Sequence, residues 1–155
     1  MAVTAIAAVY IYNNYLINYA KNEAQPIEKA LIKAGAVKKC EKGDGGHGPD
    51  NFRPWYNATF ETTINKDKAK KLIEQIAIEH GYDLTYTQHP AYPEISGYSG
   101  QFRKQSTYGE LENGPIEIGL SLYSGGSHLG CRDNSIHYDE ENIAIVISLG
   151  LPEYK

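Results

Sequence analysis

Two histidines set among glycines come nearest to a reactive arrangement in this chain. His47 lies in Gly43-Asp44-Gly45-Gly46-His47-Gly48, seven residues after Cys40, and His128 lies in Gly125-Gly126-Ser127-His128, three residues before Cys131. Were the two cysteines bonded, their Cα atoms would stand about 4.4–6.8 Å apart. The two loops would then meet, with Asp44, Arg132 and Asp133 close by. Facing imidazoles titrate near neutrality and suit acid and base roles in phosphodiester cleavage. With Asp44 or Asp133 they would instead offer zinc a nitrogen and oxygen ligand set. The competing reading is a pair of exposed histidines on tethered loops. Neither loop matches a specific motif, so His47, His128, Asp44 and Asp133 stand as weak candidates, and a non-enzymatic role is expected.

Other chemistry finds less support. The glycine run lacks the Gly-Lys-Ser/Thr ending of a phosphate-binding loop, and no Gly-x-Ser-x-Gly elbow surrounds any serine. Asp139-Glu140-Glu141 lacks the alternating oxygen ligands of a calcium loop. No cofactor is expected. Asn57-Ala58-Thr59 fits a glycosylation acceptor but falls inside an expected strand. Lys66, Lys68, Lys70 and Lys71 make a basic helix start that opposes the helix dipole, and a solvated surface accounts for it. The 155 residues carry 15 Lys+Arg against 19 Asp+Glu, a formal net charge of −4, which argues against a phosphate-backbone binder. Hydrophobic residues at 41% are enough for one domain with a core.

Thirteen tyrosines against three phenylalanines and one tryptophan give most of the aromatic surface a hydroxyl. Tyr82, Tyr86, Tyr92, Tyr98 and Tyr108 gather in and around one long excursion. Broad rings with hydrogen-bonding tips suit recognition of a protein or glycan, and ordinary packing is the other account.

Cys40 and Cys131 bracket most of the chain. A bond between them would close a loop of about 91 residues and contribute roughly 4–5 kcal/mol by chain entropy before strain. Such a bond persists in an oxidising compartment; two buried thiols in a cytosolic protein is the other reading. Residues 1–21 carry no charge before Lys21. Ala2 to Ile11 is apolar apart from Thr4 and Tyr10, and tyrosines and asparagines follow. A spanning helix needs about 20 apolar residues, and this run is shorter. It reads as a membrane anchor with an interfacial tyrosine belt, or as a helix packed on the domain or on another copy. Both the cysteines and the apolar start point to an extracytoplasmic address.

The elements that must position these groups follow from periodicity. An amphipathic helix is expected within 22–39, with Pro26 in its first turn and Gly35 near its end. Cys40 to Pro54 reads as a loop or hinge. Tyr56, Ala58, Phe60, Thr62 and Ile64 alternate as a half-buried strand. Asn65 caps a helix over 66–80, Gly81 ends it, and Tyr82 to Thr87 returns as a strand. Gln101 to Tyr108 forms a further strand. Asn113-Gly114 turns the chain into the alternation of Ile116, Ile118, Leu120 and Leu122. Ser124 to Asn134 reads as a loop. Ile143 to Leu149 has two buryable faces and belongs at the centre of the sheet. The expectation is an α+β domain over 40–155, a mainly antiparallel sheet of four or five strands with one principal packed helix, preceded by N-terminal helices. A split arrangement of the ferredoxin-like kind fits.

Cys40-Glu-Lys-Gly-Asp-Gly-Gly-His-Gly-Pro-Asp-Asn-Phe-Arg-Pro-Trp-Tyr, followed by a strand and a helix, resembles small bacterial envelope proteins with an N-terminal anchor and a disulfide-bonded α+β domain. Ala7-Ala8-Val9-Tyr10-Ile11-Tyr12, then Tyr15, Leu16, Ile17 and Tyr19-Ala20-Lys21, resembles the later part of a type IV pilin's N-terminal helix. The first likeness implies a membrane-tethered or secreted domain that binds a protein or envelope partner. The second implies a subunit that assembles through its N-terminal helix. A small hydrolase or nuclease using His47 and His128 is the enzymatic alternative.

Overall fold

The computed structural model describes residues 2–44, 54–86, 96–105, 115–123, 129–131, 134–136 and 143–151. Helix α1 spans Ala2–Lys33, strand β1 Val37–Asp44, β2 Trp55–Thr62, helix α2 Lys66–Glu79, β3 Asp83–Tyr86, β4 Ser96–Gln105, β5 Pro115–Tyr123, β6 Leu129–Cys131, β7 Asn134–Ile136 and β8 Ile143–Gly150. Six strands make one sheet in the order β1-β2-β8-β5-β4-β3, with every neighbouring pair antiparallel. β6 and β7 pair separately. The class is α+β, with six strands in the main sheet where four or five are expected, and with two helices among the described residues.

The sheet's inner face holds the core. Tyr56, Ala58 and Phe60 of β2, Ile145, Ile147 and Leu149 of β8, and Ile118, Leu120 and Leu122 of β5 are all buried there. Phe60 stands opposite Ile145 and Leu120 opposite Ile147, the cross-strand pairs that knit such a face. β8 is internal in the sheet, flanked by β2 and β5, and Ala144 on its outer face is buried as well. The β2-α2-β3 unit is a long crossover: its two strands occupy the second and sixth positions of the sheet.

α1 is one continuous helix across the expected boundary between 21 and 22, with Pro26 inside it. Leu16, Ala20, Ala24, Ile27 and Leu31 recur at helical spacing and are fully buried. A buried Leu or Ile contributes roughly 1.5–3 kcal/mol, so this stripe offsets the ~3 kcal/mol that an interior proline costs. Pro26 lies on the opposite, exposed face, as does Asn22, whose carbonyl loses its helical donor there and is open to water.

Both helices end in the same way. The Ala36 amide donates to Leu31 and Gly35 to Ile32, as Tyr82 does to Ala77 and Gly81 to Ile78. Gly35 and Gly81 take φ of 96° and 80°, the left-handed residue of a Schellman motif. The residue after each glycine, Ala36 or Tyr82, turns into the core.

Val37–Asp44 is an edge strand, so Cys40 to Asp44, the first five residues of the expected loop, are strand. Its lysines blunt the exposed edge. Its alternation is interrupted between Lys38 and Cys40 by a bulge in the pairing with β2. Part of the expected Ser124–Asn134 loop is likewise strand, as β6 and the start of β7.

Candidate functional site

The densest group of titratable side chains lies where α1 crosses β1 and β2. Lys38 and Glu41 are three residues apart and in a regular strand would face opposite ways. The intervening bulge restores them to one face, where they meet Tyr56 of β2 and Glu28 of α1. Lys38 Nζ donates to Glu28 Oε2 at 2.8 Å and to Tyr56 Oη at 2.8 Å. It also pairs with Glu41, whose other oxygen pairs with Lys21 of α1. Tyr56 Oη stands 2.6 Å from Glu28 Oε1 and 2.8 Å from Glu41 Oε2. One phenol proton serves one of these carboxylates at a time. Glu28 is only 6% exposed, so its oxygens rely on these donors in place of water.

A second tie grips the other flank of α1. Lys104 of β4 donates to Glu23 Oε2 at 3.1 Å and stands 5.3 Å from the centre of the Tyr82 ring. Lys21, Glu23 and Glu28, the first three charges of the helix, are therefore all paired to the sheet. Where charge begins along α1, the clasp begins.

The protonation states make this cluster a fastener. Burial works against the Lys38 ammonium, yet the hydrogen bonds and charges of Glu28 and Glu41 outweigh it and raise its pKa. Burial, then the same two carboxylates, pushes the Tyr56 phenol up. Partial burial opposes the Glu41 carboxylate, but hydrogen bonds from Lys21, Lys38 and Tyr56 prevail and hold it at about 2. None of the three exchanges a proton near neutrality, which is what a general acid or base requires.

Stability should follow these shifts. Glu41's share is complete above its ordinary 4.5 and is lost as pH falls toward 2. The shares of Lys38 and Tyr56 are complete below their ordinary 10.5 and 10.0 and fade as pH rises beyond them. Thermal melting followed by fluorescence should give a plateau between about pH 5 and 9 with falls on both sides. A melting temperature still rising at pH 4, below the plateau, would contradict this.

Tyr82, expected on a contact surface, is 1% exposed and belongs to the core. Its place after Gly81 in the helix-ending motif is the reason, and a left-handed glycine followed by an apolar ring is the sequence signal for it. Tyr82 Oη is buried without a hydrogen-bond partner among the described residues, and burial first, then the charge of Glu23, raises its pKa. Removing an unpaired buried hydroxyl relieves its desolvation cost. Tyr82→Phe should therefore raise stability by about 1 kcal/mol in urea titration, and a loss of that size would show that the hydroxyl is engaged.

Of the other sequence candidates, Asp44 ends β1 and is exposed. Cys40 lies on β1 and is disulfide-bonded. His47, His128, Asp133, Tyr92 and Tyr108 lie outside the described residues. Tyr86 is opposite Gln101 and Tyr98 opposite Leu122 in the β3–β4 and β4–β5 ladders. Among the described residues, no three His, Cys, Asp or Glu side chains are placed to hold a metal ion.

The outer sheet face carries a groove of about 200 Å³ bordered by Gln101, Arg103, Glu117, Gly119 and Ser148. Gly119 is opposite Gln101 on one side and Ser148 on the other, and its missing side chain opens the floor. Arg103 closes one end, donating from Nη2 at 2.8 Å and Nε at 3.0 Å to Glu117 Oε1. Among the described residues, no helix is long and apolar enough to cross a membrane. No family model, curated protein or solved structure matches the chain.

Proposed function

We propose that the chain is a non-enzymatic, extracytoplasmic interaction domain, tethered to a membrane by the first turns of α1 and binding a protein or cell-envelope component through its folded body. The observation that carries this is the division of α1. From Tyr12 onward the helix packs on the core and from Lys21 it is clasped, while residues 2–11 continue it without a charge, and Ile11 at their end is 68% exposed. Those residues extend about 15 Å, roughly half of a ~30 Å hydrocarbon core. The tether therefore embeds in one leaflet.

We infer further that Cys40 is bonded to Cys131, the only other cysteine of the chain, which supports an oxidising address. In flotation with phosphatidylcholine–phosphatidylglycerol vesicles, the full chain should rise with the lipid. Ile6→Lys/Val9→Lys should stay below, since each buried lysine costs about 3 kcal/mol in a membrane. Equal flotation of the two proteins, or flotation of neither, would overturn the tether. Loss of a hydrolytic activity in His47→Ala would instead favour the enzymatic alternative.

A further inference from the structure

The exposed side of α1 has an unusual composition for a face in water. Ile11, Asn14, Tyr15, Asn18, Asn22 and Gln25 lie along it, all exposed, with Ile11 at 68% and Tyr15 at 44%. From Ile11 to Gln25 none is charged, although charged residues make up 22% of the chain; the strip ends one turn on at Lys29, which donates to Gln25 Oε1 at 3.2 Å. Asparagine is a poor helix former, yet Asn14, Asn18 and Asn22 recur every four residues on this one face. The clasp and the buried stripe account for the opposite side and the flanks of the helix. Neither accounts for the absence of charge on this face from Ile11 to Gln25.

We propose that this face is where a second copy of the chain docks, α1 against α1. Two identical surfaces bring identical charges together, and with a net charge of −4 the rest of the molecule repels its own kind. A charge-free strip escapes that repulsion. A primary amide carries both donor and acceptor, so an asparagine on a two-fold axis pairs with its own symmetry mate, the self-complementarity an isologous interface demands. Asparagines within helix–helix seams fix register in the same way. Ile11 supplies the apolar contact at the amino-terminal end. The pairing itself stands apart from the tether; its parallel sense rests on the tether, because copies held by the same end in one membrane run the same way.

The test uses the full chain with its native disulfide. Sedimentation equilibrium, in buffer and on the same vesicles, should show self-association that Asn18→Lys weakens at least about tenfold by setting like charges face to face. Position 18 is exposed, so this variant should keep the melting temperature and vesicle flotation of the parent, which separates failure of pairing from failure of the tether. In a second arm, Asn18→Cys should cross-link to its equivalent in a partner copy under mild oxidation, and Lys66→Cys at the exposed start of α2 should not. A monomer up to about 100 µM in both media, unchanged association in Asn18→Lys, or equal cross-linking at 18 and 66 would overturn the proposal.

Discussion

Lys38→Met should destabilise the fold by about 2–4 kcal/mol, measured by urea denaturation at neutral pH. Lys38 is the only cation that reaches Glu28 among the described ion pairs, and Glu28 is nearly buried. Without the ammonium, the Glu28 and Glu41 carboxylates face each other across the Tyr56 hydroxyl, and its single proton cannot satisfy both. The cost is the desolvation of an uncompensated charge, which exceeds the net worth of an intact pair. It follows that Glu28→Gln in the Lys38→Met background should recover most of the loss, because a neutral amide still accepts from Tyr56. A loss below about 0.5 kcal/mol, within the range of ordinary surface substitutions, would mean that the clasp does not hold α1.

Cys40→Ala/Cys131→Ala should cost about 2–5 kcal/mol. β1 is an edge strand with a partner on one side, β2, and among its residues Cys40 supplies its covalent hold. The proposed bond to Cys131 would close a loop of about 91 residues, which restricts the unfolded chain strongly, and its release should lower the melting temperature of reduced wild-type protein by a similar margin. The single variants should each match the double one, since either removes the whole bridge. Unequal single variants, or a stability unchanged by reduction, would contradict the Cys40–Cys131 pairing.

How far residues alone disclose this architecture depends on what holds each element. β2 and β8 were legible because burial alone orders them: Tyr56, Ala58 and Phe60, and Ile143 to Leu149, alternate or fill both faces. α2 announces its start at Asn65, whose side chain accepts from the Asp67 amide at 3.0 Å, and its end at Gly81. β1 is different. Val-Lys-Lys-Cys-Glu-Lys-Gly-Asp has no apolar alternation, and what fixes it is a bulge and ion pairs to partners 10 to 22 residues away. Long-range pairing leaves no local period to read. The continuity of α1 through Pro26 was hidden for the same reason, since the stripe that overrides the proline draws its energy from a sheet formed later in the chain. The clasp left one trace in the sequence, the onset of charge at Lys21. Tyr56 looked like one more core ring, because alternation reports the face of a strand and says nothing of the polar tip.

Hydrogen–deuterium exchange along α1 tests the central claim most directly, because it reads the two halves of the helix separately. In buffer, amides from about Leu16 to Lys33 should exchange slowly, as parts of the cooperative core do. As a tether, those of residues 3–11 should exchange quickly, since a few turns hold little helix by themselves. Adding phosphatidylcholine–phosphatidylglycerol vesicles should slow residues 3–11 and leave the rest unchanged. Uniform protection of α1 in buffer, or rates at residues 3–11 that do not respond to vesicles, would contradict a helix divided into a clasped half and a tether.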